Sequence, residues 1–217
     1  ECSAPGYLGL GVNEGFEGGA LPDGWTNHDY EGNEQVWLFN DPEGRGNRTP
    51  GGEGGFAILD SDHYGSGSGQ NAGLRTPVMD FTDDTFVKLE FDTYFKQYSG
   101  SSATVRVSID GGHTWSDVWT THTTLTGHVT VDISDPAAGE PSVIVEFKYV
   151  GAWAWYWQVD DVLLTPMDCS LIDGGVVAGY VKDANDDSPL VGADVVSNDV
   201  STQTFFISAD PDSKGLY

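Results

Sequence analysis

The sequence predicts an all-β protein, a jelly-roll β-sandwich followed by an incomplete prealbumin-like β unit. Three observations carry this. Apolar and polar residues alternate with period two through the middle of the chain. Turn-forming residues separate those runs, drawn from 29 glycines and 10 prolines in 217 residues. No stretch has the three-to-four spacing of an amphipathic helix of useful length.

The elements follow in order. To about Asn71 the chain is looser, with short apolar pieces at Val36–Phe39 and Phe56–Leu59 between Gly-rich and acidic loops. Long loops in a sandwich carry ligands or stay floppy. Next, Val87, Leu89, Phe91 and Phe95 share one face of a strand, with Lys88, Glu90, Asp92 and Tyr94 on the other. Ala103, Val105, Val107 and Ile109 repeat the pattern, as do Val129, Val131 and Ile133, and then Val143, Val145, Phe147 and Tyr149. One wet and one dry face per run is the mark of antiparallel sheets packed over a shared core.

Asp and Glu number 34 against 9 Lys and Arg, a formal charge of −25. The cations are scattered and form no basic stripe, which makes nucleic acid and anionic membranes poor partners. No apolar run is long enough for membrane insertion. The acidity suits solubility in an extracellular or saline setting, and can include ligands for a hard cation. Glu1 in place of a starting Met is expected of a mature or excised piece. The two cysteines, Cys2 and Cys169, are either separate thiols or a disulfide. We read them as a disulfide, because the ends of a sandwich often lie close together and nothing metal-like surrounds either one.

Ser108, Asp110, Gly112, Thr114 and Trp115 spell S-x-D-x-G-x-T-W. This resembles the Asp-box hairpin of sialidases and other glycan-handling proteins. A carboxylate two residues before Gly can accept the turn's amides, so one copy without a blade repeat reads as a folding element. The five histidines have no metal spacing, and the Ser-rich YGSGSGQ stretch lacks a nucleophile-elbow context. No enzyme is expected.

Further residues carry a family resemblance. Cys2, Pro5, Gly6 and Tyr7 are followed by Phe16-Glu17, Leu21-Pro22-x-Gly24-Trp25, Phe56-Ala57-Ile58-Leu59-Asp60-Ser61-Asp62, Leu74-Arg75-Thr76-Pro77, and finally Trp155-x-Trp157-x-Val159-Asp160-Asp161. Their order resembles the MAM-like jelly rolls of secreted bacterial proteins, of the cleaved-adhesin and choice-of-anchor J type. The resemblance implies a non-catalytic binding or adhesion module, appended to a larger secreted or cell-surface protein such as a peptidase, over residues 1–169. It also implies a structural calcium held by Glu17 and Asp160, with Asp60 and Asp62 completing an oxygen shell.

Residues 170–217 differ in character. Gly179-Tyr180-Val181-Lys182-Asp183 and Pro189 to Val195 resemble the start of a carboxypeptidase regulatory-like domain, as does Asp212 to Tyr217. In that family more strands follow, so the unit reads as incomplete. That leaves self-assembly by strand addition as the alternative function. Asp183, Asn185 and Asp187 imitate a calcium loop, but Ser188 stands where the sharp turn needs Gly, and they read as a turn. In GAWAWYWQVDD, Trp153, Trp155 and Trp157 alternate and so share one side of any strand. Aromatics dominate sandwich cores, which puts Trp157 and Trp155 in the core or under the calcium loop, while a sharper reading exposes Trp153 and Tyr156 as a platform for a glycan or an extracellular protein surface.

Overall fold

The computed structural model describes residues 7–8, 11–166, 170–171, 181–186, 188–197 and 200–203. The described residues fall into two compact units, Tyr7–Ser170 and the residues from Leu171 onward. Cys2, Cys169, Asp187 and Asp212–Tyr217, with the disulfide and terminal-turn expectations resting on them, lie outside the described residues.

In the first unit the strands run β1 (Tyr7–Leu8), β2 (Val12–Glu14), β3 (Thr26–Asp29), β4 (Ala57–Asp60), β5 (Gln70–Arg75), β6 (Val87–Phe95), β7 (Ser102–Ser108), β8 (Ser116–Thr121), β9 (Leu125–Asp132), β10 (Ile144–Gly151) and β11 (Tyr156–Pro166). A short helical turn, α1 (Ser134–Ala137), precedes β10. β12 (Ser170–Leu171) follows, and the second unit contributes the antiparallel hairpin β13 (Asp194–Ser197) and β14 (Val200–Gln203). No helix among the described residues is long and apolar enough to cross a membrane.

Two antiparallel sheets face each other. One has the order β3-β5-β10-β7-β8; the other has β2-β11-β6-β9, with β4 also paired to β11. The alternating runs become their inner faces. Val87, Leu89, Phe91 and Phe95 of β6 meet Ala103, Val105 and Val107 of β7 and Val145, Phe147 and Tyr149 of β10 in one core. Ile109 leaves the pattern and is exposed, because β7 ends at Ser108. Trp157 sits at the centre, edge-on to Trp37 at 5.0 Å and stacked with Trp119 at 6.2 Å. Its indole N–H would be stranded there, and it donates to Thr93 Oγ1 at 2.7 Å.

The loop between β3 and β4 is ordered by its own side chains. Asp29 accepts the amides of Glu31, Gly32 and Glu34. Asp41 accepts those of Arg45 and Gly46. Carboxylates that gather several amides in this way replace the missing sheet ladder. The loop lies on the outer face of β4 and β11. Leu38 and Ile58 exchange backbone hydrogen bonds, and Gln158 bonds Arg48 N and Gly46 O. β4 is therefore buried on both faces, and Phe56, Ile58 and Tyr156 form a second, smaller apolar cluster.

Candidate ligand-binding cleft and carboxylate site

Three loops of the first unit meet at one end of β10 and β11: 61–69 after β4, 96–101 after β6 and 152–155 between β10 and β11. Asp62, Tyr98, Trp153 and Trp155 line a cleft of about 350 Å³ between them. Trp153 is 59% exposed and Tyr98 57%, so two large rings are presented to solvent. Tyr156, expected beside Trp153 on the surface, is only 3% exposed and belongs to the second apolar cluster. Trp155, expected in the core, lines the cleft instead.

The reason is local backbone geometry. Alternation of side chains requires extended backbone, but Trp153 and Trp155 adopt φ of 46° and 60°. Ser99, across the cleft, has φ of 50°. Bulky residues do not hold this left-handed conformation unless their surroundings impose it. Here they do: Ser61 N donates to Trp155 O at 2.8 Å, Ala154 N donates to Ser61 Oγ at 3.0 Å, and buried Tyr149 donates to Ala154 O at 3.0 Å. The backbone that carries the two indoles is thus fixed by these bonds.

The polar groups divide unequally. Asp60 is buried and saturated: Arg45 Nε lies 2.7 Å from Oδ2 and Arg45 Nη2 3.2 Å from Oδ1, while the amides of Asp62 and His63 also reach Oδ1. Asp62 meets Trp155 N only at 3.4 Å and Arg45 Nη2 only at 3.6 Å. Its oxygens keep capacity for a stronger donor. Lys96 places its ammonium 3.3 Å from the centre of the Trp155 ring, a cation–π contact.

A second constellation lies further along β11, at a β-bulge. The register with β6 shifts between Asp160 and Leu163, and Asp161 takes φ of 46°. β4 pairs the residues before the bulge and β2 those after it. The bulge turns Asp160 and Asp161 toward the chain that follows β2, where Phe16 has φ of 55° and Glu17 accepts Gly55 N at 2.9 Å. Gly54 is favoured there: its φ is +75°, and a Cβ would stand 2.1 Å from Glu17 Oε1 and displace that carboxylate. Asp160 is 4% exposed and accepts hydrogen bonds from Asn47 Nδ2 at 2.7 Å and Asp161 N at 2.8 Å. Burial, with the Asp161 and Glu17 charges, pushes its carboxyl up to about 6.

Glu17 and Asp160 are thus neighbours, while Asp60 and Asp62 stand elsewhere. Asp60 pairs with Tyr156, four residues along β11 from Asp160; at about 3.4 Å per residue the gap is roughly 14 Å. No three His, Cys, Asp or Glu side chains among the described residues converge closely enough to hold a metal on their own. A hard cation at the bulge fits the chemistry of the Glu17 and Asp160 carboxylates, provided that carbonyl oxygens supply the remaining contacts. It does not fit Asp60, whose charge Arg45 already balances.

The Ser108–Trp115 segment closes the β7–β8 hairpin. Asp110 accepts the amides of His113 and Thr114 and the Thr114 hydroxyl, which holds its carboxyl well below the usual range. Trp115 folds back and donates to Gly112 O at 3.1 Å. On the sheet behind it, a cluster the sequence did not suggest buries Glu146 between Arg75 and Arg106, with Tyr30 donating to the same carboxylate. These contacts tie β5, β10 and β7 together and supply no reactive group.

No protein-family model and no curated protein matches the chain. Solved structures do. The K1 cleaved adhesin domain of Lys-gingipain from Porphyromonas gingivalis W83 is similar with a TM-score of 0.55 and 19% identity, over 74% of this chain and 100% of that one. The K3 cleaved adhesin domain of the same protein gives 0.55 and 17%, over 73% and 99%. TmCBM61, solved with β-1,4-galactotriose, gives 0.48 and 15%, over 75% and 99%. The first two show a jelly-roll fold shared with cleaved adhesin domains.

Proposed function

We propose that the first unit is a non-catalytic, extracellular binding module that attaches a larger secreted protein, such as a peptidase, to a glycan surface. The cleft of Trp153, Trp155, Tyr98 and Asp62 is the binding site. The observation that supports this most is the pair of tryptophans held at positive φ by Ser61 and Tyr149. Strained backbone that presents rings to solvent is costly for folding alone, and a pre-ordered ring spares a ligand the entropy of ordering it. Sugar rings offer a flat C–H face to an indole and hydroxyl donors to Asp62. A calcium ion at Glu17 and Asp160 is the structural part of the proposal. It sits at the bulge, away from the cleft, and stabilises the fold without touching the ligand.

The test is retention on a panel of cellulose, xylan, mannan, galactan and chitin, for the wild type and Trp153→Ala. Retention on at least one polymer, weakened about tenfold or more in the variant, is expected, as for loss of a central contact residue. Trp153 is exposed, so melting should not change. No retention on any polymer, or retention indifferent to Trp153→Ala, contradicts the reading.

A further inference from the structure

We propose that the cleft selects glycans carrying free amino groups, as in a glucosamine polymer. The inference rests on the glycan reading above and adds the class of sugar. It starts from Asp62. Of the two carboxylates beside Arg45, Asp60 takes the guanidinium in full and Asp62 is left with contacts of 3.4 and 3.6 Å. Asp62 is also the one carboxylate that lines the cleft, between aromatic rings. A protonated amine is the donor that satisfies it best, since a charge-assisted hydrogen bond is shorter and roughly twice as strong as a neutral one.

Two further observations point the same way. The aromatic wall already accepts an ammonium group, because Lys96 Nζ rests 3.3 Å from the Trp155 ring centre. Trp153 remains exposed to take a second cation or the sugar ring that bears it. The charge of the whole chain, −25, then concentrates a cationic polymer near the cleft and repels uronic or sulfated ones.

The experiment compares three probes of equal length by calorimetry: the glucosamine hexamer, its fully N-acetylated form and cellohexaose. It is run at about pH 6, below the usual range of an amine. The glucosamine hexamer is expected to bind about tenfold tighter than the other two, the worth of one charge-assisted hydrogen bond. Asp62→Asn removes that advantage, so that the variant no longer prefers the glucosamine hexamer over the neutral probes. Trp153→Ala weakens all three. Equal binding of the three probes by the wild type overturns the amino-sugar assignment and leaves the glycan reading standing. Binding of the glucosamine hexamer that survives both Asp62→Asn and Trp153→Ala also overturns it, because attraction to the acidic surface then suffices. Failure of all three probes to bind overturns it together with the choice of cleft. Melting curves of both variants, expected to match the wild type, show that the fold is intact.

Discussion

Asp160→Asn should make the calcium-free protein more stable, although it removes a hydrogen-bonded buried residue. Burial raises the Asp160 carboxyl from an ordinary 3.8 to about 6. A raised acid binds more protons folded than unfolded between those two values, so stability falls as pH rises through that window. Above about pH 6 the whole penalty is present, and at 1.36 kcal/mol per pH unit it comes to about 3 kcal/mol. The amide carries no charge and escapes it. It also loses one acceptor, leaving Asn47 Nδ2 or Asp161 N poorly matched, which costs about 1 kcal/mol. The net gain is about 2 kcal/mol, or roughly 4–8 °C in Tm for a chain of this size. Thermal melting at pH 7 with a chelator reads it directly. The wild type should melt progressively higher as the pH is lowered toward 4, and the variant should lose that trend. Excess calcium should reverse the order: at a hundred times its Kd a ligand of the folded state adds about 2.7 kcal/mol, and only the wild type should respond. A variant that melts lower than the wild type in chelator refutes the reasoning about burial. An unresponsive wild type refutes the calcium proposal alone.

Two other substitutions probe how the sites are held. Arg45→Met strands buried Asp60 without its partner and should cost about 3–5 kcal/mol, with the Arg45→Met/Asp60→Asn pair recovering much of it in denaturant titrations. A loss below about 1 kcal/mol would mean that water reaches Asp60. Gly73→Ala puts a Cβ 2.3 Å from Glu146 Cδ, which Arg75 and Arg106 pin in place, so a loss of about 1–3 kcal/mol is expected from melting; a neutral result would show that the carboxylate does not lie across β5.

The parts of the molecule legible in the sequence are those where period and environment agree. β6, β7 and β10 each carry alternating residues from a wet face to a core, and pattern alone assigned their inner side chains. Trp153 is exposed as expected, but Trp155 and Tyr156 exchange places with their expected positions because strand alternation does not reach through the 152–155 loop. The strand begins at Tyr156, and the αL turns before it reverse which rings point outward. Nothing in the local pattern announces those turns, since Ser61 and Tyr149, which impose them, come from other elements. The long β3–β4 loop was misjudged as loose for a similar reason. Its order comes from Asp29, Asp41 and Asn47 bonding nearby amides, and acidic loop residues look the same whether they gather amides or face water. Asp60 looked like a cation ligand for want of its partner: the pairing with Arg45 is set by how that loop folds over β4, not by spacing.

The placement of the binding site can be tested by following the seven indole N–H resonances while a retained oligosaccharide is titrated in. Trp153 and Trp155 should shift together and saturate with a single affinity, while Trp37 and Trp157, buried in the core, stay fixed. Shifts at Trp115 instead, on the outer face of the β3-β5-β10-β7-β8 sheet, would move the site to that face and contradict the assignment to the cleft.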